Sequence, residues 1–312
     1  MSRPSLDRLL RIGTRGSKLA LTQSGWVRDR LAAAGMPGEL VIIKTTGDMI
    51  QDRPLQAIGG KGLFLKEIEE ALLAETIDIA VHSMKDMPSD LPMGLRIASI
   101  PEREDPRDVL IPHDTSVRSL DELPQGSLVA TGSTRRQAQL ARLRPDLRFT
   151  GMRGNVDTRL RKVRAGEGGI DATVLAAAGL HRIGADVPEA IYMDPSLMLP
   201  AVGQGTLAIE ARIDAFELET ALLSIHHTPT ATCASAERAF LERLEGDCKT
   251  PIAGYAQIID GQVTLTGIVS GPNGTPWFEK TLASPEAWAR RTGGALGEQL
   301  LAEGAGRVLA GG

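Results

Sequence analysis

Short apolar runs rich in β-branched residues alternate along this chain with helical patterns, and this alternation limits the fold more than any other feature. It is typical of βα units built around a mostly parallel sheet. In the first part of the chain we predict strands at 10–14, 39–46 and 78–82 and helices at 18–34 and 63–74. A second series follows, with strands at 127–130, 147–150 and 171–175 and helices at 135–143 and 156–165.

The end of the chain has a different pattern, which predicts a small α+β domain. We expect a helix at 230–244, an antiparallel pair of strands at 255–259 and 263–269, and a long terminal helix. The charged, proline-rich segment 101–112 is typical of a crossover between domains. A chain of 312 residues has room for two or three domains, in agreement with these divisions.

Composition excludes several classes of protein. With 42% apolar and 24% charged residues and a net charge of −4, the chain has the make-up of a globular protein with a core. No run of residues is long and apolar enough for a membrane helix, and the first residues lack the apolar centre of a secretory signal, so we predict a cytoplasmic protein. The two cysteines and five histidines show no zinc spacing, so no metal site is expected.

A basic segment stands out between residues 134 and 164, where ten basic residues, nine of them arginine, face two acidic ones. One interpretation is a solvated helix face. The other is an anion-binding surface, because arginine binds carboxylate and phosphate in a bidentate manner and several arginines lie at strand-to-helix junctions. Phe149 is the segment's single aromatic residue, which disfavours nucleic acid and favours a small polyanion.

Three further segments carry candidate residues. DIAVHSMKDMP places Asp86 after a strand, either as a solvated turn residue or as a carboxylate that stabilises a cation or moves a proton. Cys248 precedes a lysine on an expected turn and is either an incidental surface thiol or a reactive one, whereas Cys233 is expected to pack in the core. Gly203-Gln204-Gly205 is interpreted as an interdomain hinge and not as a dinucleotide loop, since a strand is expected to follow it.

The order and spacing of several motifs together point to a family. They are GTRGSKLALTQ, TTGD, GGKGLFLKEIEEALL, DIAVHSMKDMP, TGSTRRQAQL, RGNVDTRL, LAAAGLHRIG, LPAVGQGTLAIEAR and LEGDCKTPIAGYA. With these motifs the chain resembles the porphobilinogen deaminases, also called hydroxymethylbilane synthases, along nearly its whole length.

The resemblance implies an α/β fold with two periplasmic-binding-protein-like domains joined by a double crossover, followed by a C-terminal α+β domain. The boundaries it suggests are 1–104 with 201–223 for the first domain, 105–200 for the second and 224–312 for the third. The segment 47–62 would be a mobile lid.

The resemblance also implies a transferase with a dipyrromethane cofactor bound to Cys248 by a thioether. Four porphobilinogen molecules are deaminated and added to this primer, and hydrolysis then releases hydroxymethylbilane for tetrapyrrole (haem or chlorophyll) synthesis. Asp86 would be the catalytic residue. The residues that would bind the cofactor are Lys85, Thr131, Ser133, Arg135 and Arg136. Substrate binding would fall to Arg15, Ser17, Lys61, Arg153, Arg159 and Arg182.

For partners, the family suggests a monomer that passes its product to uroporphyrinogen-III synthase, with no nucleic acid and no membrane. Two alternatives remain open. A two-lobed protein that binds an anionic solute would share the fold, because fold alone does not set function. A regulator that binds nucleic acid through the basic segment would show steeply salt-dependent binding.

Overall fold

The computed structural model describes residues 8–46, 65–88, 90–245 and 250–310. The chain forms two compact units, one made of Met1–Glu104 with Thr206–Thr232 and the other of Asp105–Gly205 with Cys233–Gly312. Because each unit is built from two separate stretches, the polypeptide passes repeatedly from one unit to the other. The three-domain boundaries suggested by the resemblance stay a prediction.

The first unit contains a five-stranded sheet whose order is β2-β1-β3-β10-β4. Its strands are β1 (Leu10–Thr14), β2 (Gly38–Ile42), β3 (Ile79–Ser83), β4 (Leu95–Ser99) and β10 (Leu207–Arg212). The first three run parallel, as predicted. β10 is antiparallel to both β3 and β4, because it belongs to the second stretch of the unit and enters the sheet from the opposite end.

Helices cover both faces of this sheet. They are α1 (Lys18–Ala33), α2 (Lys66–Leu73) and α6 (Glu219–Ser224). α1 packs with the residues of β3 that point to one face, Ile79 and Val81, while α2 packs with Ala80 on the other face. Since successive strand residues point to opposite faces, β3 is buried on both sides and delivers its last residues to a fixed position.

The second unit contains a sheet of the same plan, in the order β7-β6-β8-β5-β9. Its strands are β5 (Asp108–Pro112), β6 (Leu128–Ala130), β7 (Arg148–Thr150), β8 (Ala172–Ala176) and β9 (Ile191–Tyr192). β6 runs parallel to β7 and β8, and β5 is antiparallel to β8 and β9. Its helices are α3 (Thr134–Leu143), α4 (Val156–Arg164) and α5 (Ala177–Arg182).

Segment 101–112, which we interpreted as a crossover between domains, is a crossover only in its first part, because its last residues form strand β5. The boundary between the units does fall in this segment, after Glu104. The residues from Asp108 onward form a strand in which Val109, Leu110 and Ile111 are fully buried. A strand buried on both faces shows no alternation, and the flanking prolines and charges further conceal it.

The C-terminal part of the second unit is a three-stranded antiparallel sheet with helices on one face. Its elements are α7 (Thr228–Arg243), which enters this unit at Cys233, β11 (Ile252–Ile259), β12 (Gln262–Ser270), β13 (Trp277–Pro285), α8 (Ala289–Leu300) and α9 (Gly306–Ala310). The predicted strand pair is confirmed, whereas β13 was missed. Phe240 of α7 lies at the centre of the core of this part. Its ring passes so close to Gly267 of β12 that a Cβ atom at that position would lie 2.6 Å from it, which leaves no room for a side chain there.

The expected single terminal helix is wrong in detail. A π-helical turn at Leu301–Ala305 separates α8 from α9, because Gly304 takes a φ of 107°, which a side chain would disfavour. The two sheets and the C-terminal part confirm the predicted α/β class with a C-terminal α+β portion. Within the described residues no helix is long and apolar enough to cross a membrane.

Candidate functional site

The candidate residues of the first unit lie at one edge of its sheet. β1 and β3 are parallel neighbours, so their carboxyl ends, Thr14 and Ser83, meet at the same edge. Arg15 and Ser17 follow the first of these strands, and the turn with Lys85 and Asp86 follows the second. The carboxyl edge of parallel strands is where α/β proteins place ligands.

Asp86 lies on a single 3₁₀ turn, Met84–Asp86, that directly follows β3. Met84 and Met87 on either side are buried, while Asp86 is exposed and Lys85 is half-buried. The amide of Met84 donates to the carbonyl of Thr206 at 2.9 Å, and the amide of Met87 donates back to Met84 at 3.1 Å. The Asp86 carboxylate is therefore exposed on a turn whose ends are anchored in the core.

Two side-chain contacts, one part-buried and one buried, hold the end of β3 on its two faces. The amide of Gln23 on α1 donates to the Ser83 hydroxyl at 2.9 Å. On the other face, Nε2 of His82 lies 3.0 Å from Oε2 of Glu210 on β10. The sequence analysis missed both Gln23 and Glu210, although a lone glutamate inside the apolar strand TLAIEAR is a signal of a paired buried charge.

Ser17 and Arg15 are placed by the start of α1. The Ser17 hydroxyl caps this helix by accepting a hydrogen bond from the amide of Ala20 at 3.3 Å. A hydroxyl that accepts in this way keeps its own proton for donation to a ligand. Arg15 is half-buried beside it.

In the second unit, Thr131 and Ser133 follow the carboxyl end of β6, Arg153 follows that of β7, and Arg182 is the last residue of α5. Ser133 caps α3, since its hydroxyl accepts from the amide of Arg136 at 3.3 Å. The hydroxyl of Thr131 accepts from the amide of Ser133 at 3.2 Å. A guanidinium nitrogen of Arg182 donates to the carbonyl of Gly205 at 2.7 Å.

Arg135 and Arg136 are not on an open surface, so the interpretation of the basic segment as a solvated helix face is wrong for these two residues. Both guanidinium groups are buried and pair with the fully buried Asp108 at 2.7 Å. Arg135 also donates to the carbonyl of Leu199 and Arg136 to that of Val174, each at 2.8 Å. Burial alone would raise the pKa of Asp108, but the two arginines hold it well below its usual range.

The charges of this cluster do not balance. Within the described part of the chain, Asp108 is the one carboxylate that pairs with either guanidinium, so two positive charges face one negative charge. Burial and the neighbouring Arg135 lower the pKa of Arg136, although Asp108 opposes this. A further anionic group would neutralise the surplus, and the capped start of α3 provides hydroxyl and amide donors beside it.

Four other members of the basic segment form ion pairs within the unit. Arg153 is half-buried and has no carboxylate partner among the described residues. Arg159 donates to the carbonyl of Gly154 at 2.8 Å. The ion pairs are Arg144–Asp146, Arg161–Glu167, Lys162–Glu167 and Arg164–Glu189.

Two predicted site residues, Lys61 and Cys248, lie outside the described residues, as does segment 47–62. Cys248 falls in the connection between α7 and β11. Cys233 is confirmed in the core, where it lies on α7 and is 7% exposed. The segment Gly203-Gln204-Gly205 is followed by β10, a strand, as predicted.

The fold is that of an α/β protein in which arginine and hydroxyl side chains follow the carboxyl ends of strands in both sheets. A family model described as "Porphobilinogen deaminase, dipyromethane cofactor binding domain" matches residues 10–220, and "Porphobilinogen deaminase, C-terminal domain" matches residues 231–302. This chain belongs to the porphobilinogen deaminase family.

Individual relatives agree with the family models. The porphobilinogen deaminase of Syntrophobacter fumaroxidans is 49% identical over 305 residues, which cover 97% of each chain. That of Geobacter metallireducens is 48% identical over 303 residues, 96% of this chain and 94% of the relative. Among solved structures, a periplasmic substrate-binding protein of an ABC transporter from Coxiella burnetii is 12% identical, covers 74% of this chain and 97% of its own, and has a TM-score of 0.40.

The residues of the second unit fit the cofactor for which the matched domain is named. Each pyrrole ring of a dipyrromethane carries two carboxylate side chains. The surplus positive charge of Arg135 and Arg136 beside Asp108, with the hydroxyls of Thr131 and Ser133, is compatible in charge and hydrogen-bonding groups with such carboxylates.

Proposed function

We propose that this chain deaminates porphobilinogen, joins four molecules head to tail onto a dipyrromethane primer and releases hydroxymethylbilane by hydrolysis. The observation that carries the chemical step is the exposed carboxylate of Asp86 on a turn anchored at both ends. Such a group supplies a fixed negative charge without reorganisation during the reaction.

Asp86 would act on the positive charge that develops on pyrrole nitrogen. Loss of ammonia from porphobilinogen leaves an electron-poor methylene pyrrole, and its reaction with a second pyrrole places a positive charge on ring nitrogen. A carboxylate accepts hydrogen bonds from pyrrole N–H groups, stabilises that charge and takes up protons. Lys85, half-buried beside it, would attract the carboxylates of the substrate.

The arginines and hydroxyls of the two edges would hold the carboxylates of substrate and primer. Arg15 and Ser17 would do so in the first unit, and Arg153, Arg159 and Arg182 in the second. When bound, the dipyrromethane supplies the nucleophilic pyrrole carbon to which the first substrate is joined. Thr131, Ser133, Arg135 and Arg136 would bind its carboxylates, and Lys61 would contribute from outside the described residues.

The attachment point of the primer would be Cys248. Cys248 belongs to the connection between the end of α7 at Arg243 and the start of β11 at Ile252, and it lies outside the described residues. The other thiol, Cys233, is packed in the core around Phe240 and could not carry a large group without displacing it.

The intact mass of the denatured protein tests this proposal, with Cys248→Ser and Cys233→Ser as a matched pair of variants. We expect an excess mass of two linked pyrrole units in the native chain and in Cys233→Ser, and none in Cys248→Ser. A bare polypeptide mass in the native chain, persisting after incubation with porphobilinogen, would favour the anionic-solute-binding alternative.

Three finer statements stay predictions supported by the resemblance: action in the cytoplasm, a monomeric state and transfer of the product to uroporphyrinogen-III synthase. Binding of nucleic acid is not expected. The engagement of most of the basic segment in internal ion pairs and hydrogen bonds supports this expectation, because it leaves few cations for phosphates.

A further inference from the structure

Two buried side chains below the Asp86 turn have no assigned part in the reaction, His82 and Glu210. Glu210 lies in the middle of β10 and is fully buried, with Oε2 3.0 Å from Nε2 of His82. Its other oxygen, Oε1, has no hydrogen-bond partner among the described residues. A buried carboxylate is costly unless a donor or a cation faces it, so the contact with His82 is what makes this position tolerable.

The pair lies where β3 leaves the sheet. His82 is opposite Ala208 in the antiparallel register, so Glu210, two residues further along β10, projects from the same face. The opposite face is held by the Gln23–Ser83 contact. The last two residues of β3 are thus fixed on both faces immediately before the turn that carries Asp86.

Other charged groups around the pair do not replace His82. On α2, burial and the negative charge of Glu210 raise the pKa of Glu69. Arg212, two residues further along β10, is paired with Asp214 at 3.2 Å and with Glu75 at 3.7 Å. His82 is therefore the group that faces the Glu210 carboxylate within the described residues.

We propose that His82 and Glu210 are positioning residues for the reaction. Their contact holds the end of β3 against β10 and so fixes the direction in which Asp86 leaves the sheet. This inference rests on the proposed role of Asp86. Because other residues hold the substrate carboxylates, loss of the contact is expected to lower kcat and to leave KM nearly unchanged.

Glu210 is the better residue to replace, because removing His82 would leave a buried carboxylate without its partner. Glu210→Leu keeps roughly the volume of the side chain and removes the carboxylate that faces the His82 ring. We expect its kcat, counted per molecule that carries the primer, to fall about tenfold, with KM within about threefold of the native value. Glu210→Gln retains a hydrogen-bonding group for His82, so its kcat should stay within about threefold of native.

A double variant shows whether the His82–Glu210 pair affects the rate through Asp86 or independently of it. If the pair acts through Asp86, then Glu210→Leu combined with Asp86→Asn will be no more than about threefold slower than Asp86→Asn alone. Losses that multiply would overturn the proposal, and so would an unchanged kcat in Glu210→Leu. Near-native activity of Asp86→Asn alone would instead remove the proposed role of Asp86, and the positioning role with it.

The experiment includes a control variant and a replacement variant in case Glu210→Leu does not fold. His113→Asn is the matched control, because it removes a histidine contact of 3.0 Å, to the carbonyl of Val163, at the surface of the second unit. Its kcat should equal that of the native chain. If Glu210→Leu does not accumulate as folded protein, Glu210→Met takes its place with the same expected results, because the unbranched chain of methionine follows the path of glutamate.

Discussion

The side-chain amide of Gln204 donates a hydrogen bond of 3.0 Å to the carboxylate of Asp108, although 96 residues separate them in the sequence. The same amide also donates to the carbonyl of Pro106 at 2.7 Å. Both residues lie close to points where the chain passes between the units, Asp108 after Glu104 and Gln204 before Thr206. Within the second unit, the hydrogen bonds of Gln204 therefore join the two chain segments that connect this unit to the first one, near Glu104 and near Thr206.

Asp108→Asn tests the strength of this cluster. The substitution leaves two buried guanidinium groups without a carboxylate, so we expect the free energy of unfolding to fall by about 3–5 kcal/mol. Urea denaturation followed by circular dichroism measures the change. Glu167→Gln is the control, since it removes the exposed partner of Arg161 and should cost less than about 1 kcal/mol. Equal effects of the two variants would contradict the structural role of Asp108.

Acid should destabilise the first unit through Asp78. Burial would raise the pKa of this carboxyl, but hydrogen bonds from Arg8 and Arg11 hold it well below its ordinary value of 3.8. A carboxyl whose pKa is lowered by folding contributes stability above its unfolded pKa and loses it as the pH falls toward the folded pKa. We therefore expect the free energy of unfolding to decline as the pH is lowered through about 4. Asp78→Asn should remove part of this decline, and an unchanged pH dependence in that variant would contradict the assignment.

Asp86→Asn should fold normally and lose most of its turnover. The amide keeps the shape of the side chain and lacks the charge, so we expect a rate at least about a hundredfold lower per primed molecule. Release of ammonia from porphobilinogen, followed in single-turnover and steady-state assays, measures it. Asp90→Asn, an exposed aspartate of the same region, serves as the control and should match the native rate.

Arg153→Leu should impair priming or chain elongation, because a half-buried guanidinium at the carboxyl edge of β7 would be lost from the carboxylate-binding set. We expect a KM for porphobilinogen at least about tenfold higher, in the range for a charge-assisted hydrogen bond. Arg161→Leu, from the exposed pair with Glu167, is the matched control. Native kinetics with full primer loading in Arg153→Leu would remove this residue from the proposed site.

Much of the fold follows from local sequence pattern. The strand predicted at 10–14 has those bounds in the structure, and the helices predicted at 135–143 and 156–165 differ by one residue at one end. The buried place of Cys233 was likewise predictable, since a small apolar residue in a helical pattern usually faces the core. Hydrophobic periodicity and helix caps depend on residues a few positions apart, so the bounds of these helices and strands can be predicted from the local sequence.

Tertiary structure decided which charged residues form buried ion pairs and which do not. Within one arginine-rich segment, Arg136 is buried against Asp108 while Arg153 has no carboxylate partner among the described residues, and nothing in the local sequence separates the two. The same holds for Glu210, whose partner His82 lies 128 residues away. An ion pair depends on the distance between two side chains in space, and for residues far apart in the chain that distance is set only when the sheets form.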